Sequence, residues 1–218
     1  MAPWSLPALK TAVSRAATLD GRVPLLSARA RASLADKLRT EASPRRAAAV
    51  LVPLCVVGGE PAVLFTLRSG NVSTHKHQVS FPGGHLEAGE TAVAAARREA
   101  VEELGPALAG VRVLGACETV PAVTGTLVTP VLGLLEKPLD VDADLAPAPG
   151  EVERAFSLAV AHLADERHRG EQDLGARGRV PVFYGGPAEV WGLTAFVLDG
   201  VLDRVVRPSL EGPRDSGA

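Results

Sequence analysis

The chain has 218 residues, 46% of them apolar and 22% charged, with a formal net charge of −2. That is enough for one sizeable core. The balance argues against a nucleic-acid binder, which would show a basic face, and no apolar run approaches the about 20 residues needed to span a membrane. Val, Leu and Ala must build most of the core, because only five Phe, two Trp and one Tyr are present. Cys55 and Cys117 each sit in an apolar run, read as buried free thiols of a reducing compartment.

Residues 1–46 are set apart as an N-terminal extension. Met1 to Leu19 has Lys10 and Arg15, several hydroxyl residues and no acid before Asp20. This composition resembles an organelle transit peptide, with a poorly ordered leader or plain helix as the alternative. Mitochondrial placement is the expectation if it is one, and cytoplasmic otherwise. Trp4 is assigned to a mobile leader. Ala30 to Thr40 predicts a short helix, broken at Pro44.

Ala47 to Val57 predicts a buried strand, and Ala62 to Arg68 a strand returning after "GGEP". Ser69 to Ser80 is a polar loop. Thr91 to Leu104 predicts a helix, with Thr91 as N-cap and Gly105 as its stop. Val111 to Val120 and Val128 to Glu136 predict two more strands. Pro138 to Gly150 is an excursion rather than a linker. "AFSLAVAHLADERH" is predicted helical, and Gly170 to Arg179 a loop or hairpin tip. "VPVFY" predicts a strand. "VWGLTAFVLDGVLDRVV" has a helical period, with Trp191 expected in the core. Residues 47–206 form one predicted α/β domain, and 207–218 a disordered tail.

The helix after "FPGGH" carries the chemistry. Glu99, Glu102 and Glu103 are spaced three and four apart, so they are neighbours on a helix beside Arg98. A solvated charged face with Arg98 paired to Glu102 is the bland explanation. The functional one is a divalent-metal site, since clustered carboxylate oxygens suit Mg²⁺ or Mn²⁺ and phosphate substrates fill their remaining positions. Gly83 and Gly84 let backbone approach such a ligand.

Gly84, Glu90, Arg98-Glu99, Glu102-Glu103 and Gly105 reproduce the Nudix signature at every charged and glycine position. Ala100 and Pro106 depart only at apolar positions. The chain therefore resembles the Nudix hydrolases. That resemblance implies an α/β/α sandwich with a mixed central sheet and a loop-helix-loop catalytic motif. It further implies Glu99 and Glu103 as metal ligands, with Glu102 and the Gly83 carbonyl as further ones. Arg98 would hold a carboxylate, Glu90 would support the motif, and Glu102, Glu103 or Glu151 would be the general base.

The flanks "LFTLRS", "QVSFPGG", "VTPVLGLL" and "VWGLTAFVL" look like the coenzyme A pyrophosphatase branch, most of all its eukaryotic organellar members. The branch has an arginine and a glycine where this chain has Ser73 and His77. Lys76 is the candidate to stand in for that arginine as a phosphate contact. Arg68, Lys76, Phe81, Gly83 and Gly84 are the substrate-binding candidates. The resemblance implies a small-molecule diphosphate substrate, no nucleic acid, no membrane, and leaves room for a homodimer. Competing readings are a Nudix hydrolase for ADP-ribose or NADH, and a non-catalytic nucleotide-binding module. His75, His77 and His85 invite a zinc site, but no cysteine pair lies nearby, and they are read as loop histidines on the substrate side.

Overall fold

The computed structural model describes residues 4–40, 46–70, 77–173 and 179–211. Strands β1 (Ala47–Val57) and β2 (Glu60–Arg68) form a hairpin, closed by Gly58 and Gly59 at positive φ and paired from Val57↔Glu60 to Leu54↔Val63. Beyond that point β1 and β2 part. The gap is filled by β3 (Val79–Ser80) against β2 and β4 (Gly83–His85) against β1. On its other edge β1 runs parallel to β7 (Leu127–Leu134). β5 (Arg112–Ala116) and β6 (Val120–Pro121) pair antiparallel with β7. The outcome is a mixed sheet with eight strands among the described residues.

Strand alternation divides the core in two. Leu51, Cys55, Ala62 and Leu64 face helix α3 (Ala92–Leu104), through its Ala95, Ala96, Ala100 and Leu104. Val52, Leu54, Val63 and Phe65 face the opposite layer. That layer holds α1 (Leu6–Ala16) and α6 (Gly192–Val201), which continues as a π-helical turn over Leu202–Val206. The α/β/α arrangement expected from the sequence is present.

Several expectations need correction. Val152–Ala159 is a strand, β8, not helix; Val160–Ala164 turns α-helical, as α5, and Glu166–His168 adds one 3₁₀ turn. β8 pairs with β2 from Ala62↔Ala159 to Arg68↔Val152. Phe156, Leu158 and Val160, spaced by two, all enter the α6 side of the core. The period of two was masked because Ser157 and Ala159 between them are small and uncharged.

The N-terminal segment is not a detached extension. Leu9, Ala12 and Val13 of α1, then Val23 and Leu25, are buried with α6, and the Trp4 indole N–H donates to the Cys55 carbonyl at 2.6 Å. Trp191, expected in the core, stands at the start of α6 and is 39% exposed. Arg207–Glu211 extends the helical run as α7 (α2 is Ala28–Thr40 and α4 is Val141–Asp144), with Ser209 buried, where a disordered tail was expected. β9 (Arg169–Asp173) and β10 (Arg179–Phe183) form a separate two-stranded hairpin. Both cysteines are buried and free. No helix among the described residues is long and apolar enough to cross a membrane.

Candidate active site

The site grows from the parting of β1 and β2. The chain returns along β4 so close to β1 that only glycine fits at position 83. Gly83 has φ +157°, and a Cβ there would lie 2.3 Å from the Ala49 carbonyl oxygen. At Gly84 a Cβ would lie 2.3 Å from Glu99 Oε1. The carboxylate of Glu99 thus occupies the space left by a missing side chain.

α3 starts where the Thr91 hydroxyl accepts from the Ala94 N–H, and it stops at Gly105, with φ +90°. The Pro138–Gly150 excursion closes its far end. Ala146 N–H donates to the Leu104 carbonyl at 2.9 Å, and Ala148 N–H to the Glu103 carbonyl at 2.8 Å. Ala148 in turn accepts from Glu151 N–H, so Glu151 is delivered beside the helix that carries Glu103.

Arg98 binds the motif together. Its Nε and Nη2 grip both oxygens of Glu90 at 3.0 and 2.9 Å, and Nη2 also donates to the His85 carbonyl at 3.1 Å. Nη1 donates to Glu99 and to Glu102, each at 3.0 Å. This fork pulls the Glu90 carboxyl below the usual range. Glu90 also accepts the Glu87 N–H at 3.0 Å, which fixes the loop before the helix. Both roles expected of Arg98 are thus combined: it pairs with Glu102, and it holds carboxylates on the loop and the helix.

The three helix glutamates differ sharply. Glu102 is the outer one, its side chain 58% exposed against Arg98. Glu99 is mostly covered. Glu103 is buried, its side chain 4% exposed, accepting from the Gly83 N–H at 3.3 Å and facing Arg68 Nη1 at 3.8 Å. Burial pushes its carboxyl up to about 7; Arg68 and the Gly83 N–H oppose this, and the charges of Glu99 and Glu151 add to it. Among the described residues, Arg68 Nε is buried with no hydrogen-bond partner.

Among the described residues no three His, Cys, Asp or Glu side chains stand together as a finished metal cage. The donor set still suits a hard cation. Glu99 and Glu103 flank the Gly83–Gly84 turn with oxygen donors, one of them buried beside few neutralising charges.

Of the substrate candidates, Arg68, Gly83 and Gly84 border this site. Phe81 does not: it is 3% exposed and stacked on Phe65 at 5.2 Å, which stacks on Phe156 at 5.5 Å, so it anchors the turn from within the core. Lys76, with Ser73 and His75, lies outside the described residues. His85 stands exposed on β4, and His77 pairs with Glu153. That pairing, and the tethering of α3 by Ala146 and Ala148, had no signature in the sequence, since both join residues distant along the chain.

A family model described as NUDIX domain matches residues 44–175. A Homo sapiens protein named mitochondrial coenzyme A diphosphatase NUDT8 is 41% identical over 176 residues, covering 78% of this chain and 73% of its own. A protein named uncharacterized Nudix hydrolase NudL, from Escherichia coli O7:K1, is 35% identical over 169 residues, covering 76% of this chain and 85% of its own. Among solved structures, the Nudix hydrolase RenU from M. smegmatis shares the fold with a TM-score of 0.51 at 19% identity, covering 79% of this chain and 91% of that one.

Proposed function

This chain belongs to the Nudix family, hydrolases acting on pyrophosphate bonds, and we propose that the bond it cleaves is the diphosphate of coenzyme A or an acyl-CoA. The products would be 3′-phosphoadenosine 5′-phosphate and (acyl-)4′-phosphopantetheine. The observation that carries the substrate is the 41% identity, over most of the chain, to a protein named a coenzyme A diphosphatase. The mitochondrial part of that name supports the same location here, which fractionation of cells expressing the full chain would test.

Nudix hydrolases use divalent metal ions, and Mg²⁺ or Mn²⁺ is our choice for the oxygen donors of Glu99, Glu103 and the Gly83 carbonyl, with Glu102 a further donor if it leaves Arg98. Such an ion neutralises phosphate oxygens and lowers the pKa of a bound water. The protein's own groups do the rest. Arg68, its side chain 25% exposed beside Glu103, offers its guanidinium to a phosphate oxygen. Arg98 and Glu90 keep Glu99 aligned with the turn. Glu151 takes the proton of the attacking water as general base; the water oxygen bonds to phosphorus while the bridging P–O bond breaks and the bridging oxygen leaves with the other phosphate. Glu151 fits this role because its backbone ties it to α3 while its side chain remains exposed.

The test is a comparison of kcat/KM for CoA, an acyl-CoA, ADP-ribose and NADH with Mg²⁺ or Mn²⁺. CoA or its ester should be cleaved best. His77 at the branch's glycine position favours a second reading, a different nucleoside diphosphate derivative, which a preference for ADP-ribose or NADH would establish instead.

A further inference from the structure

Among the described residues, His77 is the one non-glycine residue with positive φ, at +54°. A histidine held in the left-handed region is strained, and strain of this kind persists only where the surroundings enforce it. Two contacts do so here. Its Nδ1 donates to Glu153 Oε2 at 2.8 Å. Its ring lies against Gly70, so close that a Cβ on that glycine would stand 2.7 Å from His77 Nε2.

The pair is exposed, with side chains 65% and 48% accessible, so it adds little to stability. Its placement is more telling. His77 N–H donates to the Arg68 carbonyl at 3.1 Å, and Arg68 N–H to the Gln78 carbonyl at 3.0 Å. Glu153 lies two residues after Glu151, whose carbonyl accepts the Ser69 N–H at 2.9 Å. The β2–β8 register also shifts between Leu67 and Arg68, so the ladder is irregular where Arg68 must be aimed.

We infer that His77 is a positioning residue: clasped by Glu153 and seated on Gly70, it pins the end of β2 to the start of β8 and so fixes the guanidinium of Arg68 toward the substrate's phosphates. This rests on the assignment of Arg68 as a phosphate contact. His77 thus takes a conformation usual for glycine and adds a cross-link.

The test is steady-state kinetics on whichever diphosphate the wild-type enzyme cleaves best, with thermal melts alongside. His77→Gly suits the backbone but removes the clasp. It should raise KM at least about fivefold, with kcat within about twofold and Tm unchanged or higher. Glu153→Ala should match it, and the double variant should be no worse than either. Gly70→Ala, which displaces the ring, should raise KM likewise. His77→Asn, tolerant of positive φ and still a donor, should restore most of the affinity. Wild-type KM in His77→Gly, or additive effects of His77→Gly and Glu153→Ala, would overturn the inference. An Arg68→Ala enzyme with normal KM would instead overturn the role given to Arg68.

Discussion

The carboxylate of Glu99 sits in the space that a side chain on Gly84 would need, with a Cβ there only 2.3 Å from Oε1. A glycine in the turn and a glutamate on the helix, 15 positions apart, are thus one feature. Gly84→Ala would push aside the end of a flexible side chain, not backbone, so the fold should survive. Activity should fall about 100-fold because Glu99 is displaced by roughly 1 Å or more. Circular dichroism melts beside kcat/KM would check it; equal losses of stability and activity would count against the explanation.

Arg98 holds Glu90, Glu99, Glu102 and the His85 carbonyl at once. A lysine has the charge but not the planar fork. If Glu99 is a metal ligand, Arg98→Lys should lower kcat/KM by about 10- to 100-fold. It should also weaken apparent Mn²⁺ affinity measured by calorimetry. Unaltered Mn²⁺ binding would show that Glu99 is held by other means.

If Glu151 is the general base, Glu151→Gln should lower kcat by about 100-fold while KM stays near wild type. Stopped-flow with excess enzyme would separate chemistry from product release. A Glu151→Gln enzyme at full rate would move the role to Glu102 or Glu103.

Glu118 gives a pH-dependent prediction away from the site. Burial raises its pKa, but the Arg31 guanidinium and the Leu25 and Leu26 N–H groups outweigh this, and the net shift is downward. A carboxyl lowered in the folded state stabilises the protein above its unfolded pKa, and that stability is lost as pH falls through the folded value. Glu118→Gln should therefore destabilise at pH 7 by on the order of 1 kcal/mol after solvent screening. The gap should close toward pH 3. Urea melts at both pH values would show it; a constant gap would assign the loss to shape rather than charge.

Leu9 is fully buried in the core shared with α6. Leu9→Ala should cost about 2–5 kcal/mol, several degrees in Tm at this size. A transit peptide would tolerate the change without any shift in melting.

How legible this was in the sequence depended on whether the physics was local. The β1–β2 turn, the Thr91 cap, the Gly105 stop and the glutamate spacing are written in neighbouring residues, and each appears where expected. β8 failed because a strand covered on both faces loses its polar alternation and resembles a helix. The burial of α1, and of Trp4 against Cys55, depends on a distant sheet and left no local mark. At the site, the types of the residues were readable but their inequality was not. Only the three-dimensional arrangement separates the buried Glu103 from the exposed Glu102.

The most direct measurement is mass spectrometry of the products formed from CoA and, separately, ADP-ribose by the full chain with Mn²⁺, beside a Glu103→Gln enzyme. 3′-Phosphoadenosine 5′-phosphate and 4′-phosphopantetheine should form from CoA at the higher rate, and neither should form with the variant. Intact CoA beside cleaved ADP-ribose would contradict the substrate, and undiminished turnover by Glu103→Gln would contradict the site.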